Sequence, residues 1–80
     1  MTDATRRLTD KIAEITRRPR EDVRSDRLLR ELVQDSFSLV EMVIELQEEF
    51  SVQVSQSDFA GVVTVGDLMA LFESRLSAQT

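Results

Sequence analysis

Apolar residues recur at helical spacing along the chain, and the first such stretch lies near the amino terminus. Leu8, Ile12 and Ile15 stand at i, i+4 and i+7, which predicts an amphipathic helix over about 3–17. Pro19 ends this helix, because the residue before a proline resists the helical conformation. A long connection over 18–35 follows, and Leu28 and Leu32 are spaced for one short helical turn within it.

The clearest helix is predicted over about 36–50. Its apolar stripe is formed by Leu39, Val40, Val43, Ile44, Leu46 and Phe50. Asp35, Ser36 and Ser38 offer oxygen acceptors for the exposed N–H groups of its first turn, and Ser38 with Glu41 fits a capping box.

The end of the chain predicts a short helix over 57–60 and a last long helix over about 65–76. Gly61 ends the short helix, and the capping box Thr64-Val65-Gly66-Asp67 opens the long one. The alternating run 51–55 is too short to build a sheet and is predicted to be an extended connector.

These elements predict an all-α fold: a small four-helix bundle of three main helices and one short helix, with a long first loop. A single domain is expected to fill residues 1–80, with an ordered core over about 4–77. The predicted core residues are Leu8, Ile12, Ile15, Leu46, Phe50, Phe59, Val63, Leu68 and Phe72.

The composition excludes several kinds of chemistry. The chain has no Cys and no His, so it lacks the usual nucleophilic thiol, the usual general base and the usual zinc and haem ligands. We therefore expect no catalytic residue and no metal site, but a partner-binding module that obtains its chemistry from another molecule.

The charge is divided unevenly between the two halves of the chain. Residues 1–34 have a net charge of +2 and residues 35–80 a net charge of −7, which gives −5 in total. This acidity argues against nucleic acid or an anionic membrane as a partner and predicts basic partners for the second half. The polar start of the chain and the lack of a long apolar run favour the cytoplasm.

The run from Glu31 to Glu41, with Asp35-Ser36-Phe37 at its centre, resembles the signature of the acyl carrier protein family. The resemblance continues to Phe50 and includes Thr64-Val65-Gly66-Asp67-Leu68, so it covers nearly the whole chain. It implies that Ser36 is esterified by a 4′-phosphopantetheine arm from coenzyme A, which a separate magnesium-dependent phosphopantetheinyl transferase attaches. It also implies that Asp35 helps the transferase dock.

The resemblance implies a non-catalytic carrier whose arm presents acyl thioesters to loading and processing enzymes with basic docking patches. A monomer is the default expectation for its oligomeric state. The physical chemistry of Ser36 agrees, because the positive end of a helix dipole tolerates a phosphodiester. The alternative is that Ser36 only caps the helix.

A docking face is predicted on the helix that follows Ser36. Glu41, Glu45 and Glu48 share one face of the helix, where their like charges repel each other. Binding of a basic partner would explain why the helix keeps them. Phe37, Val40 and Met42 are predicted to add apolar contact. Core packing suits Val40 at least as well, whereas Met42 lies off the main apolar stripe and is the better candidate for exposure. A plain solvated face is the alternative.

Three departures from the family pattern point to a specialised pathway, such as polyketide or other antibiotic-type natural-product synthesis, rather than to the housekeeping fatty-acid carrier. Val33 replaces the usual glycine, Phe37 the usual leucine and Gln47 a frequent acid. Two alternatives stay open: an aminoacyl or peptidyl carrier of nonribosomal or D-alanyl type, and a helical interaction module without a prosthetic group.

Overall fold

Helices account for the regular structure in a computed structural model that describes residues 3–78. The long helices are α1 (Asp3–Thr16), α3 (Ser36–Phe50) and α5 (Val65–Ala78), and the short ones are α2 (Leu29–Leu32) and α4 (Gln56–Phe59). A 3₁₀ turn at Arg20–Asp22 follows α1. The predicted all-α bundle is confirmed, with two short helices in place of one. None of the helices in the described range is long and apolar enough to cross a bilayer.

The core lies where α1, α3 and α5 face each other. Six predicted core residues are buried: Leu8, Ile12, Leu46, Phe50, Leu68 and Phe72. Ile15 and Phe59 are partly buried and pack against this core. The rings of Phe50 and Phe72 meet edge to face, with centroids 6.5 Å apart. This arrangement joins α3 to α5 through an aromatic contact that favours perpendicular rings.

The prediction for Val63 was wrong, because its side chain is 56% exposed. Val63 lies in the extended segment before α5, where its carbonyl oxygen accepts a hydrogen bond from the Leu29 N–H at 3.0 Å. The backbone of Val63 therefore links the segment before α5 to the start of α2, while its side chain points outward.

The long connection before α3 is attached to residues 63–66, which lead into α5 and form its first two positions. The Val65 N–H donates to the Arg27 carbonyl at 2.9 Å, and the Gly66 N–H donates to the Ser25 carbonyl at 3.0 Å. A Cβ atom at position 66 would lie 3.0 Å from that Ser25 oxygen, so any larger residue would push the two segments apart by a few tenths of an ångström. Leu28 and Thr64 complete the attachment as an isolated antiparallel bridge.

Helix α1 ends in a Schellman motif, which satisfies two of its last carbonyl groups. The Arg17 N–H donates to the Glu14 carbonyl at 3.3 Å, and the Arg18 N–H donates to the Ala13 carbonyl at 3.0 Å. Arg17 has φ = 58°, the left-handed conformation in which glycine is preferred. The conformation costs a non-glycine residue on the order of 1 kcal/mol.

Aspartates cap the first turns of three helices. Asp35 accepts a hydrogen bond from the Ser38 N–H at 2.7 Å and is the N-cap of α3, so the predicted Ser38–Glu41 capping box was wrong. The Thr64–Asp67 box at the start of α5 is confirmed, with 3.1 Å for both of its hydrogen bonds. Asp58 pairs in the same way with Ser55 at the start of α4.

Substitutions at nearby exposed and buried positions of α3 should differ sharply in their effect on the unfolding free energy. Leu46 is fully buried, so Leu46→Ala should cost about 2–5 kcal/mol of unfolding free energy. Ile44 is 47% exposed, and Ile44→Ala should cost less than about 1 kcal/mol. Urea titrations followed by far-ultraviolet circular dichroism measure both, since the chain has no Trp or Tyr. Equal losses would contradict the packing described above.

The aspartate caps predict a loss of stability in acid. Backbone N–H donors lower the pKa values of Asp35, Asp58 and Asp67 below the ordinary value of 3.8. A carboxyl whose pKa is lower when folded stabilises the fold above its unfolded pKa and loses that effect as pH falls through the folded value. The unfolding free energy should therefore fall below about pH 4.

Asp35→Asn should reduce the steepness of this fall, because asparagine keeps a cap acceptor but does not titrate. Asp26→Asn is the matched control, since Asp26 lies outside the three caps and its one ion pair within residues 3–78 is with Arg24 at the surface. Urea midpoints measured from pH 7 to pH 2.5 make the comparison. Parallel curves for the parent protein and Asp35→Asn would show that this cap does not contribute.

Candidate functional site

Ser36 is the first residue of α3 and is exposed to solvent. Asp35 provides the N-cap hydrogen bond, and no residue in the range 3–78 forms a hydrogen bond with the Ser36 hydroxyl. The capping alternative for Ser36 is thus not what this helix uses. The arrangement leaves an accessible primary hydroxyl at the end of a helix.

Asp35 presents a fixed negative charge next to that hydroxyl. Its backbone is extended (φ −152°, ψ 171°), and its side chain turns back to the first turn of α3. The Ser38 backbone N–H, and to a lesser degree the Ser38 side chain, lower the pKa of Asp35. Because the residue is also exposed, its carboxylate is ionised and accessible to a basic partner at neutral pH.

The segment before Ser36 adopts its conformation without glycine. Val33 has φ = −123° and ψ = 148°, an extended conformation that favours a β-branched residue. Its side chain is partly buried and packs against the core. The departure at position 33 therefore adds apolar contact and introduces no backbone strain.

The outward face of α3 carries an apolar edge that begins next to Ser36. Phe37, Val40 and Ile44 are 71%, 51% and 47% exposed, and their spacing of three and four residues places them in one row. Exposed large apolar side chains in a row are typical of a contact surface. Ile44 was missed as a surface residue because its spacing fits either side of the helix.

An acidic edge runs beside this apolar row. Glu41, Glu45 and Glu48 are exposed, and none of them forms an ion pair with a residue in the described range. Glu49 differs, because it pairs with Lys11 of α1 at 3.3 Å. This hydrogen bond is the main cause that raises the pKa of Lys11, a base that the sequence analysis did not connect with α3.

The predicted exposure of Met42 was wrong, because this side chain is fully buried. Met42 lies four residues before Leu46 and belongs to the buried side of α3 together with Val43 and Phe50. The same spacing could have placed it in the core from the sequence. Met42 is accordingly not available to a partner.

The site suits an attached phosphodiester but offers no means to react without help. The first turn of α3 contains no acidic residue, and the N-cap carboxylate of Asp35 offsets only part of the positive end of the dipole next to Ser36. The chain has no His or Cys to activate the hydroxyl.

Comparison with known proteins agrees with this geometry. The pattern that describes the phosphopantetheine attachment site family matches residues 6–72. An acyl carrier protein of Thermotoga maritima is 36% identical over 50 residues, which is 62% of each chain. The chain thus spans somewhat less than two thirds of the length of this relative. The match over residues 6–72 shows that the chain belongs to the phosphopantetheine attachment family, whose domains hold a covalent 4′-phosphopantetheine group and are carriers without catalytic activity.

Proposed function

We propose that this protein is an acyl carrier that holds its prosthetic arm on Ser36. The observation that carries the proposal is that Asp35, and not Ser36, caps α3. The Asp35 carboxylate accepts the Ser38 N–H at 2.7 Å, and the exposed Ser36 hydroxyl has no hydrogen-bond partner in the described chain. The name of the Thermotoga maritima relative supports an acyl cargo.

Attachment requires one bond exchange at Ser36. The Ser36 oxygen forms a bond to phosphorus as a pyrophosphate P–O bond of coenzyme A breaks, and adenosine 3′,5′-bisphosphate leaves. The hydroxyl proton passes to the phosphopantetheinyl transferase, because this chain has no His to accept it. Before this exchange, Asp35 helps the transferase to dock and orients it. The thiol of the attached group supplies the thioester chemistry that a chain without Cys cannot provide.

The outward face of α3 is the proposed docking surface for enzymes that load and process the cargo. It combines the apolar row Phe37, Val40 and Ile44 with the acidic row Glu41, Glu45 and Glu48. A basic partner would gain from both, since the charges steer the encounter and the apolar groups provide contact area. Position 36 lies at one end of this surface, so a docked enzyme would be close to the cargo.

A specialised pathway, of the polyketide or other natural-product type, is the narrower part of the proposal. Its support is the exposed aromatic Phe37 at the docking surface and the arginine-rich first half of the chain. The cargo class is tested by offering the protein with its unacylated phosphopantetheine arm to acyltransferases and to adenylating enzymes. Loading by an adenylating enzyme alone would identify an aminoacyl or peptidyl carrier instead.

Incubation with coenzyme A, magnesium and a promiscuous phosphopantetheinyl transferase should add the mass of one phosphopantetheine group. Ser36→Ala should abolish this gain, because the ester oxygen is lost. Ser38→Ala is the matched control and should keep the gain, since Ser38 provides its backbone N–H to the cap. Intact-protein mass spectrometry reads all three. No gain in the parent protein would favour an interaction module without a prosthetic group, and a gain in Ser36→Ala would reject this attachment residue.

Neutralising the acidic row should weaken transfer from the loaded protein to a processing enzyme. The triple change Glu41→Gln, Glu45→Gln and Glu48→Gln should lower kcat/KM of the partner roughly tenfold at low salt, because exposed ion pairs each contribute up to about 1 kcal/mol. The difference should shrink as salt is added. Glu14→Gln, Glu21→Gln and Glu73→Gln together are the control of equal charge outside α3. An equal loss in the control would indicate an effect of net charge alone.

A further inference from the structure

A cavity of about 460 Å³ lies between the end of α1, the segment before α3 and the first turn of α3. Its wall includes Ile15, Arg17, Arg18, Asp22, Val33 and Ser38. Ser36 is not part of this wall, but Val33 and Gln34 before it and Ser38 after it are, so the cavity lies within about one helical turn of the proposed attachment residue. Nothing in the docking surface uses it, because that surface lies on the outward face of α3.

Arg18 forms the fixed part of this wall. Its guanidinium donates to the Glu31 carbonyl at 3.1 Å and to the Leu32 carbonyl at 3.5 Å, and it lies 3.8 Å from the Asp22 carboxylate. These contacts hold the end of α1 against α2. Asp22 also offsets the charge of Arg18, so this pair adds little net charge to the cavity.

Arg17 contributes an uncompensated positive charge. Its side chain is exposed, lines the cavity and forms no ion pair or hydrogen bond with another residue in the range 3–78. Its backbone occupies the left-handed position (φ = 58°) in which glycine is preferred. The Schellman motif accounts for this backbone conformation, and the guanidinium is left beside the cavity with its charge unpaired within the described chain.

We propose that this cavity, through Arg17, binds an anionic group carried on the prosthetic arm; the proposal rests on the attachment to Ser36. A guanidinium binds phosphate and carboxylate through two parallel hydrogen bonds, and the apolar Ile15 and Val33 can contact a short carbon chain. The anion is either the phosphodiester of the arm itself or the terminal carboxylate of a dicarboxylic acyl group. The neighbouring cavity of about 380 Å³ is lined by Glu41 and Glu45 and would repel both.

The test compares four forms of the ¹⁵N-labelled protein, loaded on Ser36 from coenzyme A, acetyl-, malonyl- or succinyl-coenzyme A. Mass spectrometry first verifies each load. NMR then measures the Arg17 Nε–Hε and Ser38 amide resonances against the unmodified protein. A carboxylate ligand shifts the Arg17 signal in the malonyl and succinyl forms beyond its position in the acetyl form. A phosphodiester ligand shifts it equally in all four forms.

Variants assign the shift to the side chain of Arg17. Arg17→Gln should reduce the Ser38 shift to the part that attachment alone causes, and Arg17→Lys should reduce it less because the charge remains. Arg30→Gln is the matched control, since Arg30 is exposed, forms no ion pair in the described chain and lies outside the cavity wall. It should leave the shift unchanged.

Two results overturn the proposal and can be told apart. Failure of the parent protein to load overturns the attachment to Ser36 and this site together. A loaded protein in which no form shifts the Arg17 signal, or in which Arg17→Gln keeps the whole Ser38 shift, overturns the anion site alone.

Discussion

The backbone hydrogen bonds between residues 25–29 and 63–66 are the constraint on which the arrangement of the site depends. The connection from α1 to α3 is long and mostly irregular, and its N–H and carbonyl groups lack the partners that a long helix would supply. Bonds of 2.9–3.0 Å to residues 63–66 give partners to three of them and fix where α2 begins. Leu29 and Leu32 then reach the core, and Arg18 binds the α2 carbonyls. These contacts determine the point at which the chain enters α3 and presents Ser36.

At the start of α3, a single serine could both cap the helix and carry a modification, but here Asp35 is the cap and Ser36 offers the free hydroxyl. Asp35 satisfies the first turn of α3, so the Ser36 hydroxyl is not needed for stability. A phosphodiester on Ser36 would therefore remove no hydrogen bond on which the helix relies, and its negative charge would lie at the favourable end of the dipole. Because α3 also packs its buried side on the core through Leu46 and Phe50, the attachment point is fixed relative to the docking surface.

Local chemistry made part of this structure predictable from the sequence. The bounds 36–50 of α3 followed from an acceptor at Asp35 and an apolar stripe that ends at Phe50, and the Thr64–Asp67 box marked the start of α5. Contacts distant in sequence were not predictable. The exposure of Val63 results from a backbone bond to Leu29, and the left-handed Arg17 stands where a glycine would have signalled the turn. Met42 was a different kind of error, since its spacing to Leu46 already indicated the core.

Unpaired charges of opposite sign lie on either side of the first turn of α3. Lys11 binds Glu49 and so limits the acidic row to Glu41, Glu45 and Glu48, which lie on the face that a partner enzyme would approach. On the other side of Ser38, Asp22 offsets Arg18 and leaves Arg17 as the net charge of the cavity. A basic partner would thus be attracted to one side, and an anion on the proposed arm to the other. Because the two attractions have opposite signs and separate places, a partner could dock without displacing the anion, and the net charge of −5 conceals this separation.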